Sequence, residues 1–305
     1  MKKIPRLGFS LIELSIVILV IGILVVGVTK GSRIISASKL KSAIALTKSS
    51  PINAFEGLAL WLETTSERSL QNSANSYDIT DGNNIKSWID TNQTSSGFIA
   101  TEPTNMPIYK KDGIGNLPTL FFDAASNGSS GDSLTIPYNS ILNGETFTTF
   151  VVTQPLEVTN NWGAVIMTRN WNSPQRGGYN LYKDNSNTNW QFWSSNPGTG
   201  GSLLNQVITS SLTFNQPVIL TLNRNYSFVE IYKNGTLASR AANTTFIRNS
   251  AMYFTIGTPN YWGGAPKFYY DGYISEIICF SRSLKQFERK GVEQYLSQKY
   301  GIKIS

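Results

Sequence analysis

One isolated carboxylate, two carboxylate pairs and a set of aromatic side chains are the residues of this 305-residue chain whose types and spacing suit chemistry. Glu13 is the only charged residue between positions 7 and 29. A charge in so apolar a stretch is costly, at least ~2.5 kcal/mol at the centre of a bilayer, and marks function. The close carboxylate pairs are Glu63 with Glu67 and Glu288 with Glu293. Glycoside hydrolysis needs two carboxyl groups about 5–10 Å apart across a cleft. The spacing puts the first pair at a strand exit and the second on a helix. Both therefore read as solvated surface charge, and the chain is not expected to be an enzyme. Asn260-Tyr261-Trp262-Gly263-Gly264 is a loop by composition, which exposes Trp262 and Tyr261. In Trp190-Gln191-Phe192-Trp193 strand alternation sets Trp193 with Gln191 and Trp190 with Phe192, one face core and the other surface. Aromatic faces stack on sugar rings while neighbouring Asn, Asp and Gly supply hydrogen bonds. Trp262, Tyr261 and Trp193 are thus the ligand-binding candidates. Core packing is the competing reading for Trp61, Trp88 and most other aromatics.

Composition closes off other chemistries. The chain has no His, which removes Ser-His-Asp and Cys-His catalysis and every His-ligated metal site. Cys279 is the one cysteine, so no internal disulfide and no multi-Cys cluster can form. It sits in an apolar run and reads as buried and inert. The formal net charge is +7, but residues 1–51 carry eight basic residues against Glu13 alone. Residues 52–305 hold eighteen basic and eighteen acidic residues. Nucleic-acid binding needs a basic face on a folded domain, so no nucleic-acid partner is expected.

The elements that must position these residues fall into two parts. Residues 7–29 would make a helix of about 34 Å, enough for a hydrocarbon core of ~30 Å. Lys2, Lys3 and Arg6 precede it and place the N-terminus inward. A secretory signal peptide has a shorter apolar run; a plain transmembrane anchor fits the length but leaves Glu13 unexplained. Apolar residues at three- and four-residue intervals through Ile44 extend the helix to Ser49, where Pro51 ends it. From residue 52 onward short apolar runs recur between Gly, Asn, Pro and Ser clusters, ten to twelve of them, which predicts an all-β sandwich. Asn234-Gly235 predicts a type I′ hairpin turn. Leu284, Phe287, Val292, Tyr295 and Leu296 predict a terminal helix capped by Ser283 and stopped at Gly301, packing an apolar stripe on the sandwich.

Gly8-Phe9-Ser10-Leu11-Ile12-Glu13-Leu14 resembles the processing motif of type IV prepilins. The resemblance implies cleavage between Gly8 and Phe9 by a prepilin peptidase and N-terminal methylation of Phe9. It also implies that Glu13 accepts the terminal amine of a neighbouring subunit during assembly, since an unpaired buried carboxylate is very costly. Residues 56–305 resemble the concanavalin A-like lectin/glucanase group, in particular laminin G-like jelly rolls. The carriers are Gly57-Leu58-Ala59-Leu60-Trp61-Leu62, Trp88-Ile89-Asp90, Pro118-Thr119-Leu120-Phe121-Phe122-Asp123, Glu230-Ile231-Tyr232-Lys233-Asn234-Gly235 and Tyr273-Ile274-Ser275-Glu276-Ile277. The Glu-x-Asp-x-x-Glu run of that group's glucanases is absent. Some laminin G-like domains bind calcium, which makes Asp132, Asp184 and Asp271 the metal candidates, without a clustered loop motif.

The sequence therefore predicts a prepilin leader at 1–8, a transmembrane and filament stem helix at 9–50, and a jelly-roll head with a C-terminal helix at 51–305. The expected function is that of a type IV pilin-like filament subunit whose head serves adhesion through glycan or protein binding. The alternative is a type II secretion pseudopilin with a purely structural head. Expected partners are the peptidase, other pilin subunits, the pilus assembly machinery, and a glycan or surface protein. The expected location is the bacterial inner membrane with the head in the periplasm, then the pilus at the cell surface. No cofactor is expected beyond calcium.

Overall fold

The computed structural model describes residues 11–66, 68–92, 97–102, 104–124, 131–157, 162–169, 177–184, 188–195, 205–242, 248, 252–258 and 268–305; for 11–13, 22–33, 205 and 206 it describes the backbone alone. Among these residues are seventeen strands: β1 (Leu58–Glu63), β2 (Leu70–Asn72), β3 (Ile85–Ile89), β4 (Ile99–Thr101), β5 (Ile108–Lys110), β6 (Thr119–Phe122), β7 (Leu134–Ile136), β8 (Phe147–Pro155), β9 (Trp162–Met167), β10 (Tyr179–Asp184), β11 (Asn189–Ser195), β12 (Asn205–Ser211), β13 (Val218–Arg224), β14 (Phe228–Lys233), β15 (Thr236–Ala242), β16 (Phe254–Ile256) and β17 (Gly272–Phe280). Helix α1 spans Leu11–Lys48 and α2 spans Gln286–Tyr300.

The strands form two antiparallel sheets. One runs β15-β14-β13-β8-β17-β6-β5, with β1 also paired to β17. The other runs β12-β11-β10-β9-β16-β7-β4-β3-β2. Their inner faces meet in one core, where Trp88, Trp190, Phe192, Leu181, Val151, Leu220, Ile277 and Cys279 are buried. Burial pushes the Cys279 thiol up to about 12, which keeps it unreactive. The Asn234-Gly235 turn between β14 and β15 has φ of 48° and 80°, the positive values a tight hairpin demands.

The first sheet is covered on its outer face as well. Phe150, Val152, Ile219, Ile278 and Phe280 point away from the core and pack under Val292, Tyr295, Leu296 and Tyr300 of α2. The helix begins one residue pair beyond the expected cap: Lys285 is the N-cap, and Glu288 closes the first turn by accepting from the Lys285 backbone N at 2.8 Å. Ser283 instead donates to Asn223 Oδ1. Gly301, at φ 68°, ends the helix in the left-handed conformation glycine favours.

Under α2 lies a dry ionic network. Lys299 Nζ donates to Glu63 Oε2 at 2.9 Å and to Glu276 Oε2 at 2.8 Å, and all three side chains have no exposure. Trp61 Nε1, Tyr295 Oη and Tyr300 Oη donate to Glu276. Thr65 and Ser66 donate to Glu63. Burial alone would raise the Glu63 carboxyl; the Lys299 ammonium and these hydrogen bonds outweigh it and hold the carboxyl below its ordinary value. Burial would likewise lower Lys299, but Glu276 and Glu63 hold it well above its ordinary value. Glu63, Glu288 and Glu293 were expected as solvated charge. They are buried because each has a cation within reach: Lys299, Arg282 and Arg289 respectively.

The last turns of α1 join this assembly. Ala43 is buried against α2, and Thr47 Oγ1 lies 3.1 Å from Tyr295 Oη. The expected transmembrane stem is corrected here: among the described residues no helix is long and apolar enough to cross a membrane. From residue 34 onward Lys39, Lys41 and Lys48 interrupt the apolar residues. The expected inner-membrane location rested on that span and falls with it.

Candidate functional site

The outer face of the second sheet carries the residues best suited to hold a ligand. In β9, β10 and β11 the period of two sends Tyr179, Leu181, Trp190 and Phe192 into the core. Trp162, Tyr182 and Trp193 then share the opposite face. The antiparallel register sets Asn180 between Met167 and Trp193, Tyr182 between Ala164 and Gln191, and Asp184 between Trp162 and Asn189. Three aromatic rings meet edge to face, with centroids at 5.7 Å for Trp162–Tyr182, 6.1 Å for Trp162–Trp193 and 6.1 Å for Tyr182–Trp193. Such contacts fix the rings without stacking them flat on one another.

Polar groups run between the rings. Gln191 Nε2 donates to Asp184 Oδ2 at 2.7 Å, and Trp193 Nε1 donates to Gln191 Oε1 at 2.7 Å. The Arg169 guanidinium sits 5.3 Å from the Trp193 ring centroid. Trp162 and Trp193 are half-buried, whereas Tyr182, Asp184 and Gln191 are buried. Asn180 has no exposure, yet among the described residues neither its Oδ1 nor its Nδ2 has a hydrogen-bond partner. A buried amide left unpaired costs about 1–3 kcal/mol.

The sequence candidates are distributed unevenly. Trp193 lies at the centre of this face, paired with Gln191 as the alternation predicts. Tyr261 and Trp262 lie outside the described residues, although Phe268, where the described chain resumes, touches Trp162 with centroids at 6.5 Å. Gly8 and Phe9 also lie outside them, and Glu13 falls on α1 where the backbone alone is described. Asp184 is committed to Gln191. Asp132 Oδ2 accepts from the Asp123 backbone N at 3.0 Å, which lowers its carboxyl, but burial and the Asp123 charge outweigh that bond and raise it to about 6. Burial also raises Asp271 to about 6, with Lys183 opposing and Asp123 adding. Among the described residues no group of three or more His, Cys, Asp or Glu side chains comes together. Trp162, Tyr182, Arg169 and Asn180 were not singled out from the sequence. Alternation along β10 sets Asn180 and Tyr182 opposite the core-facing Tyr179 and Leu181, and that signal could have found these two.

A family profile for the concanavalin A-like lectin/glucanases superfamily matches residues 127–288, more than half of the chain. The chain belongs to that superfamily. The matched segment contains β8 to β17 and so the whole of the aromatic face on β9–β11. A search of curated protein sequences finds no match. Among solved structures, the binding domain of botulinum neurotoxin serotype G is similar at 13% identity and a TM-score of 0.54, over 79% of this chain and 51% of that one. The binding domain of Paraclostridial Mosquitocidal Protein 1 is similar at 15% identity and 0.53, over 78% and 52%. That of botulinum neurotoxin serotype D is similar at 14% identity and 0.51, over 81% and 52%. The chain spans about half the length of these structures, and at such identities the likeness is one of fold.

Proposed function

We propose that the jelly-roll head binds glycans through the outer face of β9, β10 and β11. The observation that carries this is the pair of half-exposed indoles, Trp162 and Trp193, held edge to face at 6.1 Å on that face. A sugar offers a ring face to Trp193 or Trp162. Three domains of similar fold are binding domains by name, which supports a recognition role. Tyr261 and Trp262 are the further candidates for the same ligand. No catalysis is proposed: of the carboxylates that the sequence pairs, Glu63, Glu288 and Glu293 are engaged by Lys299, Arg282 and Arg289, and Glu67 lies outside the described residues. Nor does the reading call for a metal.

Stacking on one indole contributes on the order of 1 kcal/mol, so each head binds weakly. A glycan array probed with the multivalent protein is expected to show selective binding. Trp193→Ala is expected to reduce it about tenfold, equivalent to ~1.4 kcal/mol, with little change in the thermal midpoint because the ring is only half-buried. Silence across the array, or unchanged binding by the variant, refutes the reading and leaves a structural head.

We further propose that α1 carries the head in a filament of like subunits. Residues 14 and 16–21 of α1 are about half exposed on every side of the helix. A helix apolar all round is one that is buried in its working state. In this reading a prepilin peptidase cuts between Gly8 and Phe9, the amine of Phe9 is methylated, and Glu13 accepts the amine of a neighbour. Mass spectrometry of the protein from its own cells is expected to find Phe9 at the N-terminus; an intact Met1 start in the presence of the peptidase counts against it.

A further inference from the structure

A cavity of about 440 Å³ lies between the outer face of β13–β15 and the start of α2, on the sheet opposite the aromatic face. Alternation along β14 directs Val229 and Ile231 to the core and turns Phe228, Glu230 and Tyr232 toward this cavity. Register places Asn223 and Arg240 on either side of Glu230. The result is a row in which the nearly buried Glu230 carboxylate accepts from Asn223 Nδ2 at 2.8 Å and from Arg240 Nε at 2.7 Å. From the helix side, Arg289 donates through Nη1 to Glu293 at 2.6 Å.

Both guanidiniums are backed by aromatic rings. Arg240 lies 4.2 Å from the Phe228 centroid and Arg289 lies 3.7 Å from that of Tyr232. A guanidinium held by a carboxylate on one edge and a ring on one face has little freedom left to lose on binding. Arg289 is about nine-tenths buried, and among the described residues its Nε and Nη2 donate to no group. The lining holds three cations, Arg240, Arg289 and Lys290, and one carboxylate, Glu230; Glu293, just outside the lining, pairs with Arg289, which leaves one cation in excess. Positive charge with rigid forked donors suits a planar carboxylate. The volume is within the range of small-molecule sites and far exceeds a bare anion. Asn225, Ser283 and Gln286 add side chains that bond hydroxyls.

We infer that this cavity binds a carboxylate-bearing sugar, a hexuronate, with Arg289 and Arg240 on the carboxylate and the amides on the ring hydroxyls. The site is independent of the face on β9–β11, so failure of one reading does not touch the other. The test uses the full chain, ¹⁵N-labelled, titrated with sodium glucuronate while the arginine Nε–Hε signals are followed. Saturable shifts at Arg240 and Arg289 are expected, with none from glucose at the same concentration and weaker ones from inorganic phosphate. Arg240→Gln is expected to weaken glucuronate about tenfold; should that variant lower the thermal midpoint, Arg240→Lys, which keeps a cation beside Glu230 but loses the fork, carries the comparison and is expected to weaken it as well. Absence of shifts overturns the inference, as does an equal response to glucose. Phosphate binding as tightly as glucuronate overturns it too, because the cavity would then be a general anion site.

Discussion

Replacing Lys299 with Ala is expected to remove about 3–5 kcal/mol of the head's stability, the usual cost of stranding a buried charge. The substitution leaves Glu63 and Glu276 without their cation in a site that has no exposure. Trp61, Tyr295 and Tyr300 still donate to Glu276, but they carry no charge to balance it. Urea unfolding followed by tryptophan fluorescence checks this, since Trp61 reports from inside the network. The deficit is expected to narrow in acid. The Glu63 carboxyl is held below its unfolded value of 4.5, so its contribution is present above that pH and is lost as the pH falls through the folded value. A loss under about 1 kcal/mol at neutral pH would show that the network is hydrated and unimportant to the fold. Adding Glu63→Gln and Glu276→Gln to the variant is expected to recover part of the loss by removing the stranded charges.

Gly257→Ala is expected to cost about 3 kcal/mol, for two reasons that add. Its φ is +77°, a conformation L side chains rarely adopt, and an added Cβ would meet Phe122 Cδ1 at 2.3 Å and the Asp132 carbonyl at 2.9 Å. Gly257 also donates to Val165 O and accepts from Tyr270 N, so it ties β9 to the chain that brings Phe268 against Trp162. Glycan binding is therefore expected to weaken along with the thermal midpoint. An unchanged midpoint would mean that the backbone here relaxes freely.

Much of the sandwich was legible because its signals are local. Asn234-Gly235 specified a turn through the positive φ values only such residues take easily, and Trp190-Gln191-Phe192-Trp193 sorted its two faces by alternation alone. The failures have a common cause: they depend on partners distant in the chain. Glu63 reads as a surface acid until Lys299, far along the chain on α2, is brought against it. Glu293 reads as solvated until Thr221 and Arg289 enclose it. The three-residue strands β2, β4, β5, β7 and β16 are too short to show a period. β8 and β17 are buried on both faces, one by the opposite sheet and one by α2, so their apolar runs show no alternation to mark either side. The candidate site was legible at Trp193 and not at Asn180, because an unpaired amide is a property of the surroundings and not of the residue type.

The position of β17 bears on how the head is made. It lies between β8 on one side and β1 and β6 on the other, with Leu58 opposite Phe280. During synthesis β1 and β6 emerge early, yet neither can be joined to β8 until residues 272–280 have left the ribosome. Such late closure across a long stretch of chain makes for slow folding. Until then the edges of β8, β1 and β6 stay open to any passing strand. A nascent head therefore needs a chaperone or a crowd-free space for longer than its size alone would suggest, and a fragment ending before β17 would be a source of aggregation rather than a smaller working domain.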